Sequence, residues 1–171
     1  MAEATADLLK FLRRLRAVRT YTPEPISQQT VEDILEVGRW SGSGSNRQPC
    51  EVVVIRDPAV QEKMRDWGAN TAASAAVVLL IVTKNEGSLF DEGRMAERLL
   101  LAAAAHGLGS TVAFLKGDGP AAAKQLLGIP AEHRAIAVVT IGRTDIAAHQ
   151  ARPANPTPRK PMSEYVHWDR F

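Results

Sequence analysis

The residues of this chain best suited to chemistry are cations and amides. Arg13, Arg14, Arg16 and Arg19 crowd the N-terminal region, and Arg159 and Lys160 recur near the other end. Between them lies the turn Trp40-Ser41-Gly42-Ser43-Gly44-Ser45-Asn46-Arg47-Gln48-Pro49, in which Asn46 and Gln48 offer amide groups. Guanidinium groups hold anions through charge-assisted hydrogen bonds, and a side-chain amide presents a donor beside an acceptor. Ser and Asn suit a turn because they bond to neighbouring backbone, while Gly42 and Gly44 open conformations closed to other residues. The lost side-chain bulk lets a flat or phosphorylated ligand approach the main chain. Read alone, the turn is better taken as a flexible helix-to-strand connector. The first arginine cluster also complements a helix dipole, and the second is the basic end of a solvated terminus.

Other chemistries find no residues to carry them. There is no Gly-x-Ser-x-Gly elbow, His-Glu-x-x-His pair or phosphate-loop lysine, and His106, His133, His149 and His167 are scattered without metal-ligand spacing. The single cysteine, Cys50, excludes an intramolecular disulfide and fits a reducing compartment. A net charge of +2 does not argue for nucleic acid or membrane partners. A hydrophobic fraction of 45% in 171 residues supports one full core and is too short for two ordinary domains. Met1 to Leu9 holds Glu3 and Asp7 and has no leader-like apolar stretch, and Ala72 to Val82 is too short to span a bilayer. The expectation is a cytoplasmic protein.

These residues must be placed by helices and strands that the periodicity predicts. Leu8, Phe11, Leu12 and Leu15 form one stripe of a helix over residues 5–16, with Thr5 as its cap. Ser27 caps a second helix from Gln28 to Trp40, and Asp57-Pro58 open a third. Val52–Ile55, Val77–Thr83, Thr111–Leu115 and Ile136–Ile141 read as strands, the second of them central and covered on both faces. Asp91 to Leu108 is the most apolar helix, ended by Gly107, with Asp91, Glu92 and Glu97 forming a solvated start. Pro120 opens a short helix that Gly128 and Pro130 stop. Residues 147–159 hold Pro153, Pro156 and Pro158 and read as extended, non-helical arm. Trp168 and Phe171 at its end call for a surface to cover.

Four of these segments, in order, resemble the nitroreductase family of FMN-dependent oxidoreductases. Ser-Gly-Ser-x-x-Asn-x-Gln-Pro at 41–49 is similar to that family's Pro-Ser-x-x-Asn-x-Gln-Pro-Trp, with Gly42 for the proline and Cys50 for the tryptophan. Arg16-Ala17-Val18-Arg19-Thr20-Tyr21 resembles its Arg-Ser-x-Arg-x-Phe signature. The helix leading into Gly107-Leu108-Gly109-Ser110 and the ending Arg159-Lys160-Pro161-Met162-Ser163-Glu164-Tyr165-Val166 complete the set. Leu15 stands where many members carry an arginine, and Ala17 replaces a serine hydroxyl; two contacts are lost unless Arg13 or Arg14 folds back to serve.

The resemblance implies an α+β fold: a mixed, mainly antiparallel central sheet flanked by helices. It further implies a single domain over 1–171 whose extended C-terminal arm, 147–171, is domain-swapped, and a homodimer with FMN at the interface. Arg16 and Arg159, with Lys160, would hold the phosphate, and Ala17 would lie in the same segment. Arg19 would supply a fixed cation on the N1/O2 side of the flavin. Asn46 would meet the pyrimidine edge, Gln48 would assist, and Ser43 and the Leu108-Gly109 backbone would line the ring. The implied reaction is ping-pong: NAD(P)H donates hydride by way of flavin N5 to a nitroaromatic, a quinone or a similar oxidant. The cofactor carries the redox chemistry, so no protein nucleophile is needed. The short 84–90 loop implies a trimmed lid over an open site. That trimming and the altered signature also leave room for a specialised relative handling a deazaflavin or a flavin-like substrate. From a different class, the basic N-terminal helix could bind nucleic acid or another anion, although it lacks interleaved aromatics.

Overall fold

The computed structural model describes residues 2–84, 87–153 and 157–171. Its centre is β2 (Val77–Thr83), seven apolar or β-branched residues that are all buried. With β1 (Cys50–Ile55), β3 (Gly109–Phe114) and β4 (Arg134–Gly142) it forms a four-stranded sheet in the order β1-β2-β4-β3. Every pairing is antiparallel, with Val52 opposite Ile81, Leu79 opposite Val139, and Val139 opposite Val112 across the next seam. Because side chains alternate along a strand, β2 feeds two cores at once. Val77, Leu79 and Ile81 pack with Val31, Ile34, Met95 and Leu99 on one side. Val78, Leu80 and Val82 pack with Met64, Ala72 and Ala123 on the other.

The helices begin where their caps stand. Ser27 accepts a hydrogen bond from the Thr30 amide at the head of α2 (Gln28–Arg39), after α1 (Ala2–Arg14). Asp57 accepts from the Ala59 amide and Pro58 opens α3 (Pro58–Asp66). The longest helix, α4 (Leu89–Ala105), starts two residues before Asp91 because Ser88 and Asp91 close a reciprocal capping box. Gly128, at φ 68°, ends α5 (Gly119–Leu127) as the Pro/Gly punctuation predicts.

Three expectations are corrected. Helix α1 runs from residue 2 to 14 instead of 5 to 16, and its stripe is only partly seated: Phe11 and Leu15 are half-buried beside Leu108, whereas Leu8 is 57% and Leu12 42% exposed. Part of the arm is helical, α6 (Ile146–Gln150), because Asp145 caps it and the prolines begin only at Pro153. Glu92 is buried, not solvated, because Arg134 at the start of β4 reaches it with an ion pair and also donates to the Gly87 carbonyl at 3.1 Å. Beyond a last short helix, α7 (Met162–Tyr165), Trp168 is 84% exposed, so little of it is covered by the described residues. Among the described residues no helix is long and apolar enough to cross a membrane.

Candidate functional site

Between α1 and α2 the chain is laid as a strap across one end of β3 and β4. The Val18 amide donates to Ser110 O at 2.9 Å, the Thr22 amide to Arg143 O at 2.9 Å, and the Asp145 amide to Thr20 O at 3.0 Å. Tyr21 bridges to Thr144 in antiparallel fashion. Two glycines form the floor. A Cβ on Gly109 would lie 2.6 Å from both Val18 Cγ1 and Thr144 Oγ1, and one on Gly142 would lie 2.7 Å from the Tyr21 ring. The buried Tyr21 hydroxyl is within hydrogen-bond distance of Val18 O (2.8 Å), Thr140 O (3.1 Å) and Thr140 Oγ1 (3.0 Å). Burial raises its pKa to about 12, against opposing effects of the Thr140 hydrogen bond and the Arg19 charge, so the phenol stays a donor at any ordinary pH.

On its outer side the strap walls a cavity of about 700 Å³, in the range of roughly 300–1,000 Å³ usual for cofactor sites. Arg13, Arg16, Ala17 and Arg19 line one side, Ser110, Thr111 and Val112 of β3 and Leu100 of α4 another, and Arg159 reaches it from the arm. Arg16 and Arg159 are thus brought together although 143 positions separate them (159 less 16). The Arg16 Nη1 donates to Arg13 O and Leu15 O, each at 2.8 Å, which satisfies carbonyls at the end of α1 and fixes the guanidinium at the cavity wall. The cavity holds four arginines against one carboxylate, Glu97, so its field favours an anion. Sequence reasoning missed Glu97, Leu100, Thr111 and Val112 as lining; the (i, i+3) spacing of Glu97 and Leu100 on α4 was the available signal.

The remaining expected residues lie elsewhere in the chain. Lys160 does not line the cavity. Leu108 is buried behind the strap, beside Phe11, Leu15 and Val18, and Gly109 lies beneath Val18; they support the site and Ser110–Val112 line it in their place. The turn at 41–49 borders a separate pocket of about 70 Å³ with Ser43, Gln48, Cys50, Asp91 and Met95, and Asn46 is exposed and lines neither space. Burial, ahead of the opposing Thr83 hydrogen bond, pushes the Cys50 thiol up from its ordinary value, which keeps it protonated and a poor nucleophile.

The glycines of this turn act differently from expectation. Left-handed φ values fall on Ser45 (51°), Asn46 (53°) and Gln48 (50°), and not on Gly42 or Gly44. Gly42 is small because the Arg94 guanidinium occupies its Cβ space, with Nη2 2.6 Å from where that carbon would be. Local bonds hold the strained residues: the Gln48 amide donates to Ser43 Oγ at 2.8 Å, and the Asn46 amide to Ser43 O at 3.0 Å. Non-glycine residues held this way cost on the order of 1–2 kcal/mol each and collect at ligand sites.

Comparison with known proteins agrees with this architecture. The nitroreductase family profile matches residues 12–88, which include the strap and the strained turn. A protein of Archaeoglobus fulgidus, provisionally named an NADH dehydrogenase/NAD(P)H nitroreductase, is 30% identical over 80% of this chain and 84% of its own. The NADH dehydrogenase of Thermus thermophilus is 27% identical, with 90% of this chain and 91% of that one covered. Among solved structures, a provisionally named nitroreductase of Desulfovibrio desulfuricans in complex with FMN superposes with a TM-score of 0.78 at 26% identity, covering 96% of this chain and 97% of the other. The chain belongs to the nitroreductase family.

Proposed function

We propose that this protein is an FMN-dependent NAD(P)H oxidoreductase that reduces a nitroaromatic, a quinone or a similar small oxidant in a ping-pong cycle. The observation that carries the reading is the convergence of Arg16, Arg19 and Arg159 on one cavity of about 700 Å³. The donor set fits the cofactor: several guanidinium groups suit a phosphate, and the Ser110–Val112 edge with Leu100 offers a largely apolar wall for a flat ring. When bound, FMN supplies the redox chemistry, taking a hydride from the nicotinamide and passing it to the oxidant. Arg16 and Arg159 would grip the phosphate, with Arg13 replacing the cation that Leu15 does not provide. Arg19 would place a fixed positive charge where negative charge develops, the arrangement that lowers a barrier most in a site shielded from water.

The turn at 41–49 enters this reading through a second copy of the chain. In the proposed homodimer, Ser43, Asn46 and Gln48 of one subunit complete the site of the other. The exposed Leu8 and Leu12 of α1 and the exposed Tyr165 and Trp168 of the arm supply apolar surface for that association. We assign the whole chain to one such domain, with the tail of the arm beyond Arg159 packing on the partner, and to the cytoplasm, a compartment compatible with the single free thiol of Cys50.

The test is the visible spectrum of the purified, FMN-reconstituted protein. A flavin spectrum that bleaches on addition of NAD(P)H without oxygen and returns with a quinone is expected. A folded protein that retains no flavin at saturating FMN would overturn the reading.

A further inference from the structure

We infer that the Tyr21 hydroxyl is the positioning group that sets the strap's grip on a phosphate, by holding the Val18 carbonyl between Arg16 and Arg19. The inference rests on the cofactor reading above. A phenol has one proton to give, and the nearest carbonyl acceptor to Tyr21 Oη is Val18 O, at 2.8 Å against 3.1 Å for Thr140 O. Thr140 Oγ1, 3.0 Å away, can then donate to the phenol oxygen, and Thr71 Oγ1, 2.8 Å from Thr140 Oγ1, can donate to that hydroxyl in turn. Each hydroxyl in this order gives one proton and receives one bond until Thr71, so a directed chain runs from the core to the strap. All three side chains are buried, so water does not compete for these bonds.

The preceding peptide group is held as well, since the Val18 N–H donates to Ser110 O at 2.9 Å. With both of its polar groups tied, Val18 fixes the peptide planes on either side. Side chains alternate along such a segment. Val18 accordingly faces the cleft behind the strap, while Ala17 and Arg19 line the cavity. Releasing the Val18 carbonyl would let the strap rotate, and the arginines would lose their fixed aim while their charges stay in place.

The experiment uses the full-length chain with Tyr21→Phe, which keeps the ring on Gly142 and removes only the donor. Dissociation constants are measured for FMN and for riboflavin, which lacks the phosphate, and the ratio of the two affinities is compared with wild type. The expected result is a fall of about tenfold in the FMN-to-riboflavin ratio, the size of one net hydrogen bond. General loosening of the fold weakens both ligands alike and leaves the ratio unmoved; that result overturns the proposal. Thr71→Val, which breaks the chain at its root, should lower the ratio by a smaller factor. It decides the matter should Tyr21→Phe fail to fold, an unchanged ratio again being the adverse result. A wild-type protein that binds neither flavin removes the cofactor reading and this proposal with it, whereas wild-type binding with an unaltered mutant ratio removes the proposal alone.

Discussion

The strap and the strained turn carry the same kinds of residue, yet they are built in opposite ways. The strap from Leu15 to Thr22 is sewn to β3 and to the segment just beyond β4 by backbone bonds, is joined to β4 by the Tyr21 hydroxyl, and rests its middle on two glycines. Its geometry is complete within one chain. The turn from Ser41 to Pro49 is tied to its surroundings at its two ends, by the Ser41 amide to Gly38 O and the Lys84 amide to Pro49 O. Between them it is held by bonds among its own residues, keeps three non-glycine residues at left-handed φ, and shows Asn46 to solvent. Non-glycine residues held at an uncommon backbone collect at ligand sites and switch regions. One half of the candidate site is therefore set by folding within the chain, and the other is the half that the proposed homodimer would bring to it. This difference explains why a single chain brings Arg16, Arg19 and Arg159 together and leaves Ser43, Asn46 and Gln48 apart from them.

The harshest way to break this distinction is to damage the frame that both regions share. Helix α4 borders the cavity with Glu97 and Leu100 and the turn's pocket with Asp91 and Met95. It is fixed to β4 through Glu92 and Arg134, a pair in which the carboxylate side chain is only 5% exposed. Arg134→Ala leaves a buried charge without its partner and is expected to cost about 3–5 kcal/mol in denaturant unfolding. A cost under about 1 kcal/mol would show the pair to be incidental. Flavin retention should fall with stability in this variant, because both regions lose their support together.

A second effect, of about 3 kcal/mol, touches the strap alone. Tyr21 holds its proton to about pH 12 in the folded chain because it is buried, whereas an unfolded tyrosine releases it near pH 10. A raised folded-state value means that this stabilisation is whole below pH 10 and drains away as pH rises from 10 to 12. Unfolding free energies of wild type and Tyr21→Phe should therefore diverge in slope across that window, with only wild type showing the Tyr21 component. Parallel curves would mean that the phenol is not held neutral by the fold.

What the sequence disclosed follows the same division between short-range and long-range causes. Ser27, Asp57-Pro58 and Gly128 act on the residues beside them, so the ends of α2, α3 and α5 could be read directly. The unbroken apolar run of β2 needed only burial on both faces to be placed at the centre. The arginines could be named from local patterns, although only the fold shows that Arg13 joins them and Lys160 does not. Glu92 was misread because its partner lies 42 positions away, and helix-start chemistry alone favours solvent for an acidic residue. In the turn, glycine's reputation for positive φ concealed what occurs there. Side chains crowd Gly42 and Gly44, and local hydrogen bonds force Ser45, Asn46 and Gln48 into the left-handed region instead. The 147–159 reading let the prolines speak for residues before them, where Asp145 had already started α6.

The smallest expected effect is also the sharpest comparison, because the same change is made in both regions. Gly109→Ala drives a methyl group into Val18 and Thr144 beneath the strap, where Val18 is held by its backbone on both sides and cannot swing away. Overpacking of this kind costs about 1–3 kcal/mol, and the displaced strap should lose flavin affinity as well. Gly42→Ala meets only the far end of Arg94, whose long side chain is exposed and can move aside, and Gly42 lies outside the left-handed region. Its cost should stay within about 0.5 kcal/mol, as for other surface substitutions. Denaturation midpoints of the two variants measured side by side decide the matter. Equal losses would mean that the turn is as tightly built into the single chain as the strap, and that a second copy is not needed to explain its shape.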